Sequence, residues 1–197
     1  MRLLLASRNA KKLAELRRIE AFSGVEIIGL DDVAAYPEAP EDGATFEDNA
    51  LLKAREAVRY TGLAAVADDS GIAVDALNGC PGIFSARWSG RHGDDAANNA
   101  LLLAQLRDVP ESRLTARFVA AAAYADPDGR EVVVRGEMPG RLIREPRGEG
   151  GFGYDPLFVP DGSDLTAAEL APEQKDAISH RGKALRALAQ QIAPYLR

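Results

Sequence analysis

The spacing of apolar residues changes several times along the chain, and each change marks an element. Leu3-Leu4-Leu5-Ala6 is an unbroken apolar run, the pattern of a short buried strand, and it stops at the polar turn Ser7-Arg8-Asn9. From Ala10 to about Phe22 the positions Leu13, Leu16 and Ile19 recur at helical spacing, and Asn9 is a residue type that caps such a helix. Glu26 to Leu30 predicts a second strand. The acidic, proline-rich loop Tyr36-Pro37-Glu38-Ala39-Pro40-Glu41-Asp42-Gly43 follows, and a helix is predicted to start at Thr45, with Asp48 three residues on in the capping-box position.

Leu63-Ala64-Ala65-Val66-Ala67 predicts a short strand running into Asp68-Asp69-Ser70-Gly71, read as a turn at its carboxyl end, where ligands bind in α/β sheets. Ile72 to Leu77 followed by Asn78-Gly79 predicts a hairpin. Asp94 to Arg107 has helical periodicity. Leu114 to Ile143 holds two strand-like runs around Asp126-Pro127-Asp128-Gly129 and predicts an antiparallel meander, and a last helix is expected from about Arg181 to Leu196. Helices alternate with strands early, strands cluster in the middle and the ends are helical, which predicts an α/β chain with a mixed sheet.

Composition narrows the class. With 197 residues, 46% hydrophobic and 27% charged, the chain is expected to form one domain, or two lobes sharing one core, and not a disordered, collagenous or coiled-coil protein. A formal net charge of −6 argues against a protein whose main task is gripping nucleic acid. The single cysteine, Cys80, has no intramolecular partner, which makes a reducing cytoplasm the expected home. The opening apolar run is shorter than a signal-peptide core, and no stretch approaches the ~20 apolar residues of a membrane span.

Four segments carry candidate chemistry. In Ser7-Arg8-Asn9-Ala10-Lys11-Lys12, two lysines fall in a first helical turn, where the macrodipole disfavours cations by roughly 0.3–1 kcal/mol each. Backbone N–H groups and lysines there make an anion site for phosphate, or the lysines are simply solvated. Asp68-Asp69-Ser70-Gly71 offers adjacent carboxylates for Mg²⁺, or an Asx-type turn. Gly148-Glu149-Gly150-Gly151-Phe152-Gly153 formally matches a dinucleotide fingerprint, but Pro156-Leu157-Phe158-Val159 predicts a strand where that motif needs a helix. Phe152 and Tyr154, framed by glycines and followed by Asp155, suit a platform that stacks a base, or a plain turn with core aromatics. Lys175-Asp176-Ala177-Ile178-Ser179-His180-Arg181 puts three potential cations at the entry of the last helix, with Ser179 a candidate cap. His92 and His180, the two histidines, lack metal-ligand spacing, and neither a G-x-S-x-G elbow nor a Walker motif is present.

Together these segments resemble the non-canonical purine nucleoside triphosphate pyrophosphatases, the inosine/xanthosine triphosphatase family. The resemblance runs through Ser7-x-Asn9-x-x-Lys12, Gly43-x-Thr45-Phe46-x-Asp48-Asn49-Ala50 with Lys53, Ala67-Asp68-Asp69-Ser70-Gly71, Pro81-Gly82-Ile83-x-Ser85-Ala86-Arg87, Gly151-Phe152-Gly153-Tyr154-Asp155-Pro156 and Lys175-x-x-Ile178-Ser179-His180-Arg181. It implies a single domain over 1–197, two-lobed around a long mixed sheet flanked by helices, with a substrate cleft between lobes, Mg²⁺ dependence and a homodimer. It implies hydrolysis of ITP, dITP and XTP to the monophosphate and pyrophosphate, with no nucleic-acid or membrane partner. Carried over, Ser7, Asn9 and Lys12, with Arg8, Ala10 and Lys11 beside them, hold the triphosphate. Asp69 is metal ligand and general base, and Lys53 supports the phosphates. Ser70 contacts substrate, Phe152, Gly153, Tyr154 and Asp155 face the base, and Lys175, His180 and Arg181 read the purine's oxygens.

Two positions depart from the family pattern. Pro40 precedes Glu41-Asp42, which leaves the second metal ligand open among Glu38, Glu41 and Asp42, with Glu41 favoured. Asp48 replaces a usual Glu, a mild change if the residue only caps a helix. The competing readings are a Maf-like pyrophosphatase of another modified triphosphate, which lacks the Phe152–Asp155 and Ser179–Arg181 segments, and a nucleotide-binding sensor without turnover, against which Asp69 and Lys53 both speak.

Overall fold

The computed structural model describes residues 2–7, 10–17, 22, 24–37 and 40–196. Along the chain run β1 (Arg2–Leu5), α1 (Ala10–Arg17), β2 (Glu26–Ile28), α2 (Phe46–Thr61), β3 (Ala65–Val74), α3 (Asp95–Gln105), β4 (Thr115–Ala125), β5 (Glu131–Leu142), β6 (Phe158–Pro160), α4 (Pro172–Ile178) and α5 (His180–Ile192). The strands form one sheet in the order β2-β1-β3-β4-β5-β6. β1 pairs parallel with β2 and β3, whereas β5 and β6 are antiparallel, so the fold is α/β with a mixed sheet, as the pattern predicts. Parallel neighbours need crossovers, and α1 and α2 supply them.

By its internal contacts the chain divides into two compact units, Met1–Asp69 with Ala120–Gly136 and His180–Arg197, and Ser70–Val119 with Glu137–Ser179. β3, β4 and β5 each run from one into the other. In the first unit Leu3 and Leu5 of β1 join Leu16, Val66, Ala122, Tyr124, Leu185, Leu188 and Ile192 in one core. Leu4 joins Ile28, Ala57 and Ala65 in another. Alternate residues of β1 therefore face two apolar layers, which is why its sequence is a continuous apolar run. α2 begins as predicted: Thr45 Oγ1 accepts from Asp48 N at 3.1 Å and Asp48 accepts from Thr45 N at 3.0 Å.

The second unit packs Ile72, Val74, Leu102, Leu106, Phe118, Met138, Tyr154 and Phe158 together, with Phe118 and Phe158 edge-to-face at 4.7 Å. Gly71 lies against the Gly82 carbonyl and the Ser85 hydroxyl so closely that a Cβ would collide with both. Ser85 Oγ accepts from Ile72 N at 2.9 Å and donates to the Gly82 carbonyl at 2.6 Å, tying the 3-10 helix Gly82–Arg87 to β3.

Three expectations need correction, and one helix has no counterpart among them. β3 does not end at Ala67: it continues to Val74, and Asp68-Asp69-Ser70-Gly71 is mid-strand and not a turn, because side chains from elsewhere satisfy both carboxylates in place. The hairpin after Ile72 is reduced to a tight reversal through Asn78 (φ 51°) and Gly79 (φ 87°), returning as a single bridge between Ala73 and Pro81. α4 precedes the last helix, where the sequence pattern predicts none. α5 stops at Ile192 and tightens into the 3-10 turn Ala193–Tyr195, where Pro194 has no amide hydrogen to continue the helix. Of the first predicted helix, Ile19 and its neighbours 18, 20 and 21 lie outside the described residues.

Candidate active site

Consecutive strand residues point to opposite faces, so Asp68 and Asp69 on β3 reach different surroundings within the first unit. Asp69, 7% exposed, accepts from Lys53 Nζ at 2.8 Å and from Asn49 Nδ2 at 3.3 Å. Both partners come from α2, where a spacing of four residues places Asn49 and Lys53 on one face. Lys53 Nζ also meets Glu41 at 2.5 Å, so two carboxylates share one ammonium. Asn49, fully buried, uses its other end to accept from Gly43 N at 2.9 Å, tying the loop that carries Glu41 to the same helix.

The electrostatics follow from these contacts. Burial raises the Asp69 carboxyl above its ordinary value, Lys53 and Asn49 pull it down and the charge of Glu41 adds to the rise, with the net shift upward. Burial works to lower Lys53, but Asp69 and Glu41 outweigh it and hold the ammonium above its usual range. A carboxylate so raised is a better proton acceptor than an exposed aspartate.

On the other side, Asp68 Oδ2 meets Lys12 Nζ at 2.8 Å and Arg181 Nε at 3.1 Å. Asp68 is 3% exposed and Arg181 5%. Burial would raise Asp68, yet the two cations outweigh it and hold the carboxyl far below the usual range. Lys12 is lowered by burial, an effect that Asp68 opposes and the Arg181 charge reinforces.

The second unit holds the glycine-rich segment. Asp155, 3% exposed, accepts from Phe152 N at 2.8 Å and from Lys175 Nζ at 2.6 Å, and the Lys175 ammonium lies 5.5 Å from the centre of the Phe152 ring. Gly153 N donates to Asp95 at 2.7 Å and its carbonyl accepts from Asn99 at 3.0 Å. The Phe152 ring is exposed. Tyr154 is not the second aromatic of a platform: its ring is buried in the core and its hydroxyl donates to the Ser85 carbonyl at 2.8 Å.

The sequence-predicted residues thus separate into groups. Lys12, Asp69, Lys53, Glu41 and Arg181 gather in the first unit, where His180, opening α5, is also buried. Phe152, Asp155 and Lys175 gather in the second. Ser7 and Ser70 are half-buried, after β1 and within β3. Arg8, Asn9 and Glu38 lie outside the described residues, as do the side chains of Ala10 and Lys11, which open α1. The three cations of the Lys175–Arg181 segment do not act as one cluster, since Lys175 sits on Asp155 and Arg181 on Asp68. Asp48 serves as a cap. Two contributors were missed: Asn49, which its four-residue spacing from Lys53 could have flagged, and Asp68 as a partner of Arg181, for which a contact 113 residues away leaves no local signal.

Asp69 and Glu41 converging on one cation form a donor set of the kind that holds a hard divalent cation through one or two carboxylates, with water completing the shell. Among the described residues no group of three or more His, Cys, Asp or Glu is gathered to hold a metal, so the pair is what they offer. No helix among them is long and apolar enough to cross a membrane.

Residues 3–191 match the model of the Ham1 family. A dITP/XTP pyrophosphatase of Nocardia farcinica is 69% identical over 195 residues, covering 98% of this chain and 95% of that protein. The crystal structure of a nucleoside-triphosphatase / dITP/XTP pyrophosphatase from Mycobacterium abscessus superposes with a TM-score of 0.81 at 65% identity, covering 95% and 98% of the two chains. The Staphylococcus aureus Ham1 protein superposes with a TM-score of 0.90 at 36% identity, over 99% and 100%. The chain belongs to the Ham1 family.

Proposed function

We propose, from membership of the Ham1 family, that the chain hydrolyses the non-canonical purine triphosphates dITP, ITP and XTP to the nucleoside monophosphate and pyrophosphate. The observation that carries the chemistry is Asp69, a buried carboxylate raised in pKa and fixed between Lys53 and Asn49. In this reading a water oxygen attacks the α-phosphorus, its proton passes to Asp69, and the bond to the bridging oxygen breaks so that the electron pair leaves with pyrophosphate. Negative charge grows on that leaving group, and Lys12 and Lys53 lie among the groups able to neutralise it. Asp69 and Glu41 would hold Mg²⁺, which when bound withdraws charge from phosphate oxygens.

Base preference falls to other residues. In the second unit the exposed ring of Phe152, with Lys175 beside it, offers a stacking surface for a base, and in the first unit His180 and Arg181 supply donors for a 6-oxo group. Adenine presents donors of its own there and leaves such groups unpaired, which favours inosine and xanthosine. Homodimeric assembly belongs to the same reading. The test is a panel of ITP, dITP, XTP, ATP and GTP with Mg²⁺ and chromatographic identification of products. Monophosphate and pyrophosphate should form from the first three far faster than from the last two. Release of inorganic phosphate, or binding without turnover, overturns the reading.

A further inference from the structure

The pairing of Asp68 with both Lys12 and Arg181 is stranger than a salt bridge needs to be. The three side chains come from β3, α1 and the first turn of α5, and both cations meet the same carboxylate oxygen, Oδ2. Arg181 is engaged through Nε, a contact that sets the plane of the guanidinium as well as its place. The position of α5 is itself constrained: a Cβ at Gly136 would strike the His180 carbonyl and the Ala184 amide, so β5 and the first turn of the helix are in backbone contact. Two cations meeting one carboxylate oxygen in a largely buried setting have their head groups tied to a common point.

We propose that Asp68 is a positioning residue that couples phosphate binding to base selection, holding Lys12 and Arg181 in register through one shared oxygen. It does not touch substrate. The proposal rests on the reading above in which Lys12 meets the triphosphate and Arg181 the purine. It makes a demand that independent contacts would not: a change at Lys12 must alter discrimination between bases, although the lysine meets only phosphate.

The experiment compares wild type, Asp68→Asn, Lys12→Gln, Arg181→Lys and the Asp68→Asn/Arg181→Lys double variant, measuring KM and kcat for ITP and ATP and calorimetric affinities for both nucleotides without divalent metal. Asp68→Asn should raise KM for ITP and lower the ITP-over-ATP preference about tenfold, the scale of one charged hydrogen bond. The double variant should lose little preference beyond Arg181→Lys alone, because both changes break the same link. Lys12→Gln keeps the Asp68–Arg181 pair and remains informative if Asp68→Asn folds poorly; it should lower the ITP-over-ATP preference several-fold. A role confined to stability would reduce the active fraction for every nucleotide and leave the preference unchanged, and that result, or additive effects in the double variant, overturns the proposal. If wild type binds nucleotide without turnover, the functional reading falls, while the affinity ratios across the variants still decide the role of Asp68.

Discussion

Asp68 and Asp69 are neighbours on one strand, both almost fully buried, and their surroundings drive them in opposite directions. Burial raises both. On one face a single carboxylate meets two cations, Lys12 and Arg181, and is held strongly ionised. On the other, two carboxylates, Asp69 and Glu41, share one cation, Lys53, and the buried one stays raised. Among the described residues, the charges they meet, and not depth, separate them. Under the proposed function the first face meets an anion and the second a metal ion, the two components of a metal-assisted attack on a polyphosphate.

Three tests would break or sharpen this contrast. The largest effect is expected from Asp69→Asn, which should reduce ITP turnover by about 10²- to 10⁴-fold, the usual worth of a positioned base, with circular dichroism and the melting transition little changed. A variant turning over near the wild-type rate removes Asp69 from its role. Asp68→Ala should act first on stability, costing about 3–5 kcal/mol in denaturant unfolding, because it leaves two desolvated cations without their counter-charge. A loss below about 1 kcal/mol would mean that water reaches the trio freely.

The same contrast has a pH signature in the metal-free protein. Asp68 is depressed in the folded state, so its contribution to stability is present above ~3.9, the ordinary aspartate value, and fades as pH falls further. Asp69 is raised, so its contribution is fullest below ~3.9 and is lost as pH rises through its folded value. Carboxyl-carbon NMR should find Asp69 titrating above the ordinary range and Asp68 below it, and coincident midpoints would erase the distinction.

Smaller effects are expected in the second unit. Phe152→Ala should raise KM for ITP about tenfold through lost stacking, with stability nearly unchanged. Tyr154→Phe should do the reverse, costing about 1 kcal/mol in unfolding as the bond to the Ser85 carbonyl is lost, with KM unmoved. If the two variants exchange these phenotypes, the assignment of one aromatic to substrate and the other to the core is wrong.

What could be read without coordinates was what depends on near neighbours. Thr45 and Asp48 cap each other across three residues, and the Asp126–Gly129 turn joins β4 to β5. α4 also carries a local signal, Pro172 at its first position and Gln174 accepting from Ala171 N at 3.1 Å. The length of β3 had none. Two adjacent aspartates followed by Ser-Gly form a turn motif in isolation, but in the fold they lie in a strand between β1 and β4, where Lys12, Lys53, Asn49 and Arg181 from distant segments meet the carboxylates.

The sequence by itself determined the α/β class, the Thr45–Asp48 cap and most of the helices and strands, and it flagged the charged residues that the fold pairs, because periodicity and capping are short-range. Which carboxylate faces two cations and which shares one, that Tyr154 is core while Phe152 is open, and that Lys175 and Arg181 serve different partners were decided by tertiary structure alone. Ionisation and contact depend on groups brought together across up to 113 residues of chain, and only the folded backbone sets those distances.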